Sequence, residues 1–245
     1  MKKFDPILEF QESRKVRIEQ SSKDIELRKK SIEWMLEADR YKYTYNFEWC
    51  GIPIIKFPND MIVFQELIWK LKPDIIIETG IAHGGSIIFS ASLLELIGHG
   101  KVIGIDIEIR KHNLELLEGL ELFKRIELIE DDSISKELHR YLEIETQGKS
   151  VVVVLDSMHT HDHVLNELNL FSKYINIDSY IVLPDTFIEF FPKNYYQNRP
   201  WDVGNNPWTA LNEFLSSNPN FEVDTYFSNK ALITESFNGY IARIN

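Results

Sequence analysis

From residue 74 onward, short continuous apolar runs alternate with stretches whose apolar residues recur every three or four positions. The runs 74–80 (DIIIETG), 101–107 (KVIGIDI), 125–131 (RIELIED), 150–156 (SVVVVLD) and 179–185 (SYIVLPD) are rich in β-branched residues. Their apolar residues are continuous rather than alternating, which marks strands buried on both faces. Helical patterns cover 85–97, 111–123, 134–145 and 161–174 between them. Strand–helix alternation of this kind predicts a doubly wound, mostly parallel α/β sheet. A helix over 206–217 and two further strands, 221–227 and 239–244, bring the expected sheet to seven strands.

Upstream the pattern changes. Met61, Phe64, Leu67, Ile68 and Leu71 share one helical face, with Asp60 as expected cap and Pro73 as stop. The stretch YKYTYNFEWCGIPIIKFP before it is aromatic and irregular. Residues 1 to about 40 are dense in charge; Ile25, Ile32, Met35 and Leu36 fall near helical spacing, but Arg28 and Lys29 break the stripe. One or two surface helices laid on the domain are expected there. The alternative is a helix that pairs subunits of a homo-oligomer. The expected division is an N-terminal extension, 1–50, and a main domain, 51–245.

Composition narrows the partners. Hydrophobic residues make up 44% of 245, enough for a folded core. A net charge of −11 argues against a nucleic-acid partner, whose phosphates call for a basic stripe. The single Cys50 excludes an internal disulfide framework. The start MKKFDPILEF carries acids where a signal peptide needs an apolar run, and no stretch approaches the ~20 apolar residues of a membrane span. The expectation is a cytoplasmic protein with a small-molecule substrate and no membrane partner.

Candidate chemistry lies at the carboxyl ends of the strands, where open α/β sheets bind ligands. Glu78, Asp106, Asp132, Asp156 and Asp185 stand there, an acidic rim suited to a cation, a polyhydroxyl ligand or a metal. In IIIETGIAHGGS, Gly80, Gly84 and Gly85 allow a tight turn close to a ligand. Asp106 follows Gly80 by 26 residues, near the ~20-residue offset at which an acid accepts from ribose hydroxyls. The glycines match neither the dinucleotide fingerprint nor a P-loop. Glu78 would repel a pyrophosphate and attract a sulfonium, which favours S-adenosylmethionine over NAD or ATP.

The run LDSMHTHDHVLNEL places His159, His161 and His163 just beyond Asp156. Three readings compete: a metallo-β-lactamase-like ligand run, one residue short; a facial iron triad of two histidines with Asp156; or a single base, His159, with His161 and His163 on the helix surface. The third is preferred. Asp156 and Asp185 could share Mg²⁺, which takes oxygen ligands. The stretch 187–207 is long, aromatic and irregular, as a lid or binding loop would be, and Tyr195, Tyr196 and Trp201 could stack on a sugar face.

Taken in order, IIETGIAHGGS, VIGIDI, EDDS, VVLDSMHTHDHVLNELNLF, SYIVLPDT, NNPWTALNEFL and GYIAR resemble the cephalosporin hydroxylase-like family of class I S-adenosylmethionine methyltransferases, over roughly 43–244. Its relatives include rhamnosyl and macrolide-sugar O-methyltransferases. The resemblance implies methyl transfer to a hydroxyl of a sugar or glycosylated small molecule, and a last strand inserted antiparallel beside the fifth. It implies that Glu78, Gly80, Gly84 and Ser86 line the methionine and ribose end of the cofactor. Asp106 would bind the ribose hydroxyls, and Asp132 and Ser133 would lie by the adenine. Asp156 and Asp185 match metal ligands, and His159 matches the base. Two departures stand out. Pro184 replaces a family glutamate, for which Glu189 is the candidate substitute, and Asp131 replaces a frequent glycine. The rival classes are an iron-dependent oxygenase and a non-catalytic partner subunit of the same fold.

Overall fold

The computed structural model describes residues 5–245; the first four residues of the expected extension lie outside the described residues. Two helices open it, α1 (Pro6–Ser22) and α2 (Ile25–Asp39), each capped by an aspartate side chain, Asp5 and Asp24. The broken stripe has the expected consequence. No residue of α1 is buried and Ile25 is 81% exposed, while Met35 of α2 is packed under the aromatic cluster of Phe57, Phe191 and Phe237. The irregular aromatic stretch contains a small hairpin, β1 (Phe47–Trp49) and β2 (Ile52–Ile54), turned at Cys50 and Gly51, both with positive φ.

The main domain then alternates as the pattern predicts: α3 (Pro58–Leu71), β3 (Ile75–Thr79), α4 (Gly85–Ile97), β4 (Lys101–Asp106), α5 (Lys111–Glu118), β5 (Ile126–Glu130), α6 (Lys136–Glu145), β6 (Val151–Leu155), α7 (His161–Phe171) and β7 (Tyr180–Val182). It ends with α8 (Pro207–Ser217), β8 (Phe221–Val223), the single turn α9 (Thr225–Ser228) and β9 (Tyr240–Arg243). The seven strands of the large sheet lie in the order β5-β4-β3-β6-β7-β9-β8. β9 runs antiparallel between β7 and β8, as the resemblance implies. β3 and β6 are buried at every position. Odd and even residues of the same strands feed two cores on opposite faces, Ile75 and Ile77 on one, Ile76 and Val152 on the other.

Several expected elements differ at their ends. Residues 224–227 leave the sheet because Asp224 caps α9 through Tyr226 N and Phe227 N. The helices expected over 111–123 and 161–174 each end early and continue as 3-10 turns, 121–125 and 172–174. Asp60 does not cap α3. Pro58 starts that helix, and Asp60 is buried inside it, where it accepts from Thr234 Oγ1 and from Glu235 N at 2.8 Å.

The strand order reverses between β3 and β6, which run parallel, and this places the topological switch point at their carboxyl edge. Gly80 makes that edge narrow. Its φ is +83°, and a Cβ there would stand 2.0 Å from the Asp156 carbonyl oxygen. No other residue fits this close approach without moving the β6 backbone.

Candidate active site

A cavity of about 1020 Å³ opens above this edge. Two groups of strand-end residues line it. Gly80, Ser86, Asp106, Asp132 and Ser133 form one flank, and Asp156, His159 and Asp185 form the other.

On the first flank, Asp106 leaves β4 with both carboxylate oxygens fixed by the backbone. Ile81 N–H donates to Oδ2 at 2.8 Å and Glu108 N–H to Oδ1 at 3.1 Å. Each oxygen retains a lone pair for a further donor, as two vicinal hydroxyls would supply. Asp132 Oδ1 accepts from Ile134 N at 3.1 Å, and Ser133 Oγ lies 3.2 Å from His163 Nε2. Asp131, at the position where the likeness favours glycine, accepts from Ser135 Oγ at 2.6 Å and so ties the turn to the cap of α6.

Two expected lining residues are set back from the wall. Glu78 is 1% exposed and accepts a hydrogen bond from Ser86 Oγ, so Ser86 stands between it and the cavity. Gly84, φ +91°, caps α4 against Leu117, whose methyl groups would meet an added Cβ at 2.8 Å. Burial pushes the Glu78 carboxyl up to about 7, against the opposing pull of the Ser86 hydroxyl and Lys56. Between its ordinary 4.5 and about 7, folded Glu78 holds its proton while the unfolded chain has released it. The unfolded state therefore binds fewer protons and stability falls as pH rises through that window, by about 3 kcal/mol at most for this group. Thermal denaturation of the ligand-free protein should show a falling midpoint between about pH 5 and 7, and Glu78→Gln should flatten it. An unchanged slope in the variant would remove Glu78 as its source.

The second flank is assembled from three elements. Asp156 follows β6. His159 sits between β6 and α7. Asp185 lies three residues beyond β7, in a left-handed conformation (φ 58°) that aspartate tolerates better than most side chains. One ligand atom from each lies within 4.8 Å of the others. His159 Nε2 is 3.4 Å from Asp185 Oδ2, and Trp201 packs edge-on against the imidazole at 4.6 Å. Burial lowers the His159 pKa, with Asp156 opposing, so the ring is neutral at neutral pH. Burial and the neighbouring Asp156 raise the Asp185 carboxyl well above the ordinary range.

The other histidines diverge. His161 Nδ1 lies 2.8 Å from Thr209 Oγ1 and its Nε2 3.2 Å from Glu213, against α8. His163, expected on the surface, turns inward. Its Nε2 is 3.1 Å from Ser157 Oγ and 3.5 Å from the fully buried Glu167, whose hydrogen bond raises its pKa. The run therefore brings a single histidine to Asp156, which fits neither the β-lactamase-like pattern nor a two-histidine triad.

Glu189 does not join the cluster. It accepts from Gly204 N at 2.8 Å and from Asn206 Nδ2 at 2.6 Å, stapling the 187–207 loop to the start of α8. Tyr195 donates to Asp39 at 2.8 Å, whereas Tyr196 and Trp201 line the cavity. Two groups absent from the sequence reading stand beside Asp156 instead. Lys56 Nζ donates to Asp156 Oδ2 at 2.9 Å and to Glu235 Oε1 at 2.5 Å. No local signal marks them, since the three residues are 100 and 179 positions apart.

The family model described as Rhamnosyl O-methyltransferase/CmcI matches residues 41–244. The chain is 28% identical over 195 residues to a rhamnosyl O-methyltransferase of Mycobacterium tuberculosis, covering 79% of this chain and 76% of that protein. A rhamnosyl O-methyltransferase of Mycobacterium leprae is 29% identical over 197 residues, 80% and 82% of the two chains. Among solved structures, an apo structure of CmcI aligns with a TM-score of 0.58 at 19% identity, over 82% of this chain and 77% of that one. A CmcI structure with Mg and S-adenosylmethionine aligns at 0.55 and 19%, over 82% and 78%. The fold is that of these methyltransferases.

Proposed function

The chain belongs to the rhamnosyl O-methyltransferase/CmcI family, and on that premise we propose that it transfers the methyl group of S-adenosylmethionine to a hydroxyl of a sugar or glycosylated small molecule. The observation that carries the reading is the meeting of Asp106 with Asp156, His159 and Asp185 around one cavity. A nucleoside acceptor and a base within one space are what a methyl transfer between two bound molecules requires.

S-adenosylmethionine supplies a methyl group made electrophilic by its sulfonium. Asp106 holds the ribose hydroxyls, with Asp132 and Ser133 by the adenine. The free N–H groups at the start of α4, beside Ser86, favour a carboxylate. Glu78, set back behind Ser86, accepts that residue's hydroxyl and fixes it at the methionine end of the cavity. His159, neutral through burial, takes the proton of the acceptor hydroxyl. Asp185 orients the imidazole, and Trp201 beside it with Tyr196 offers an apolar wall for a sugar face. Fixing both molecules replaces an encounter by a step between positioned atoms. Residues 1–50 act as an extension to the catalytic domain 51–245, and Met35, Asp39 and Tyr43 contribute to the cavity wall.

The donor set of Asp156 and Asp185, where burial and then the neighbouring Asp156 raise the Asp185 carboxyl, fits a divalent cation such as Mg²⁺, with His159 adjacent. Held by the two aspartates, the ion would supply positive charge that lowers the pKa of the acceptor hydroxyl.

The test is calorimetry with S-adenosylhomocysteine, followed by methyl transfer from labelled S-adenosylmethionine to a panel of glycosides and sugar nucleotides. Binding, and label on a sugar oxygen that EDTA reduces and Mg²⁺ restores, is the expected result. A protein that ignores S-adenosylhomocysteine would overturn the proposal.

A further inference from the structure

The Lys56 ammonium is the one lysine among the described residues that lines the cavity and is ion-paired there. Its side chain is 14% exposed. Its place is set by the backbone between β2 and α3, where Ile54 and Phe57 are buried on either side. It shares itself between two carboxylates, Asp156 and Glu235. Glu235 is in turn held from below, its own N–H bound by Asp60, which also takes the Thr234 hydroxyl. Asp156 is the carboxylate that also faces His159 and Asp185.

We propose that Lys56 is a resident cation that competes with a divalent ion for Asp156, with Glu235 as the partner it keeps when the ion is bound. This rests on the metal-assisted reading of the same site. An ammonium and a divalent ion on one carboxylate repel each other. The lysine stem is long and rotatable, so Nζ can move wholly onto Glu235 without a backbone change. Without the ion, Lys56 keeps Asp156 and Glu235 from standing as unpaired buried charges, which are strongly destabilising. The fold is thereby independent of metal, and the ion is held weakly and exchangeably. Lys56 is a positioning residue of the metal site.

Manganese binding, followed by electron paramagnetic resonance on the full chain with saturating S-adenosylhomocysteine, tests this apart from turnover. Lys56→Met should bind Mn²⁺ at least tenfold more tightly than the parent protein. Glu235→Gln, which leaves the lysine only Asp156, should bind it at least fivefold more weakly. The double variant K56M/E235Q removes the ion pair as a unit; it serves if the single lysine variant does not fold, and it too should bind more tightly than the parent. Mn²⁺ affinity unchanged or lowered without Lys56 overturns the inference, as does the absence of Mn²⁺ binding in every form. S-adenosylhomocysteine affinity, read by calorimetry on the same protein preparations before saturation, separates that failure from failure of the methyltransferase reading.

Discussion

Asp106→Ala should weaken S-adenosylhomocysteine binding about a hundredfold. Hydrogen bonds to a charged group contribute about 1.5–3 kcal/mol each, and two ribose hydroxyls on one carboxylate place the loss near ~3 kcal/mol, or two decades in Kd. The carboxylate is already oriented by Ile81 N and Glu108 N, so little ordering is needed when the nucleoside arrives. Asp106→Asn separates charge from shape, since its amide oxygen can still accept one backbone N–H; it should lose less than alanine does. Calorimetry decides the matter. A Kd within threefold of the parent's in the alanine variant would take the nucleoside away from the β4 end.

The second large effect is at His159. Its replacement by alanine should lower kcat by about 10²–10⁴, the ordinary span for a positioned base. Binding of S-adenosylhomocysteine should stay within twofold, because His159 stands on the flank opposite Asp106. The split between kcat and cofactor Kd is the diagnostic, read from single-turnover transfer and calorimetry on the same preparation. Equal turnover in the variant would move the base elsewhere on the rim. A general loss of fold, visible by circular dichroism, is not expected: His159 touches Asp185 and Trp201 and closes no strand contact.

The two flanks differ in how legible they were. Gly80, Asp106 and Asp156 could be placed because each closes a largely apolar run, and the end of such a run fixes which edge of the sheet the next side chain occupies. Asp132 follows the half-polar β5 and was placed by its position in the strand–helix alternation. His163 was misplaced for a related reason. Helical spacing gives a face, but Ser133, from another strand end, and the buried Glu167 decide that this face looks inward. Asp60 fits a cap by position, and only its burial beneath Glu235 reveals another use. Asp185 was read as a strand end, whereas β7 stops at Val182 and a left-handed turn aims the carboxylate back toward Asp156.

By itself the order of apolar runs and helical stripes determined the sheet class, its seven strands and the carboxylates along its edge, because burial on two faces is written locally in the central runs, whereas β5 at the sheet edge is only half-buried. What only the folded chain decided is the ionic company those carboxylates keep. Lys56 reaches Asp156 across 100 residues and Glu235 across 179. Pairing at that separation depends on how α2, the β1–β2 hairpin and the segment before β9 pack around the cavity, and packing of that kind leaves no periodic trace in sequence.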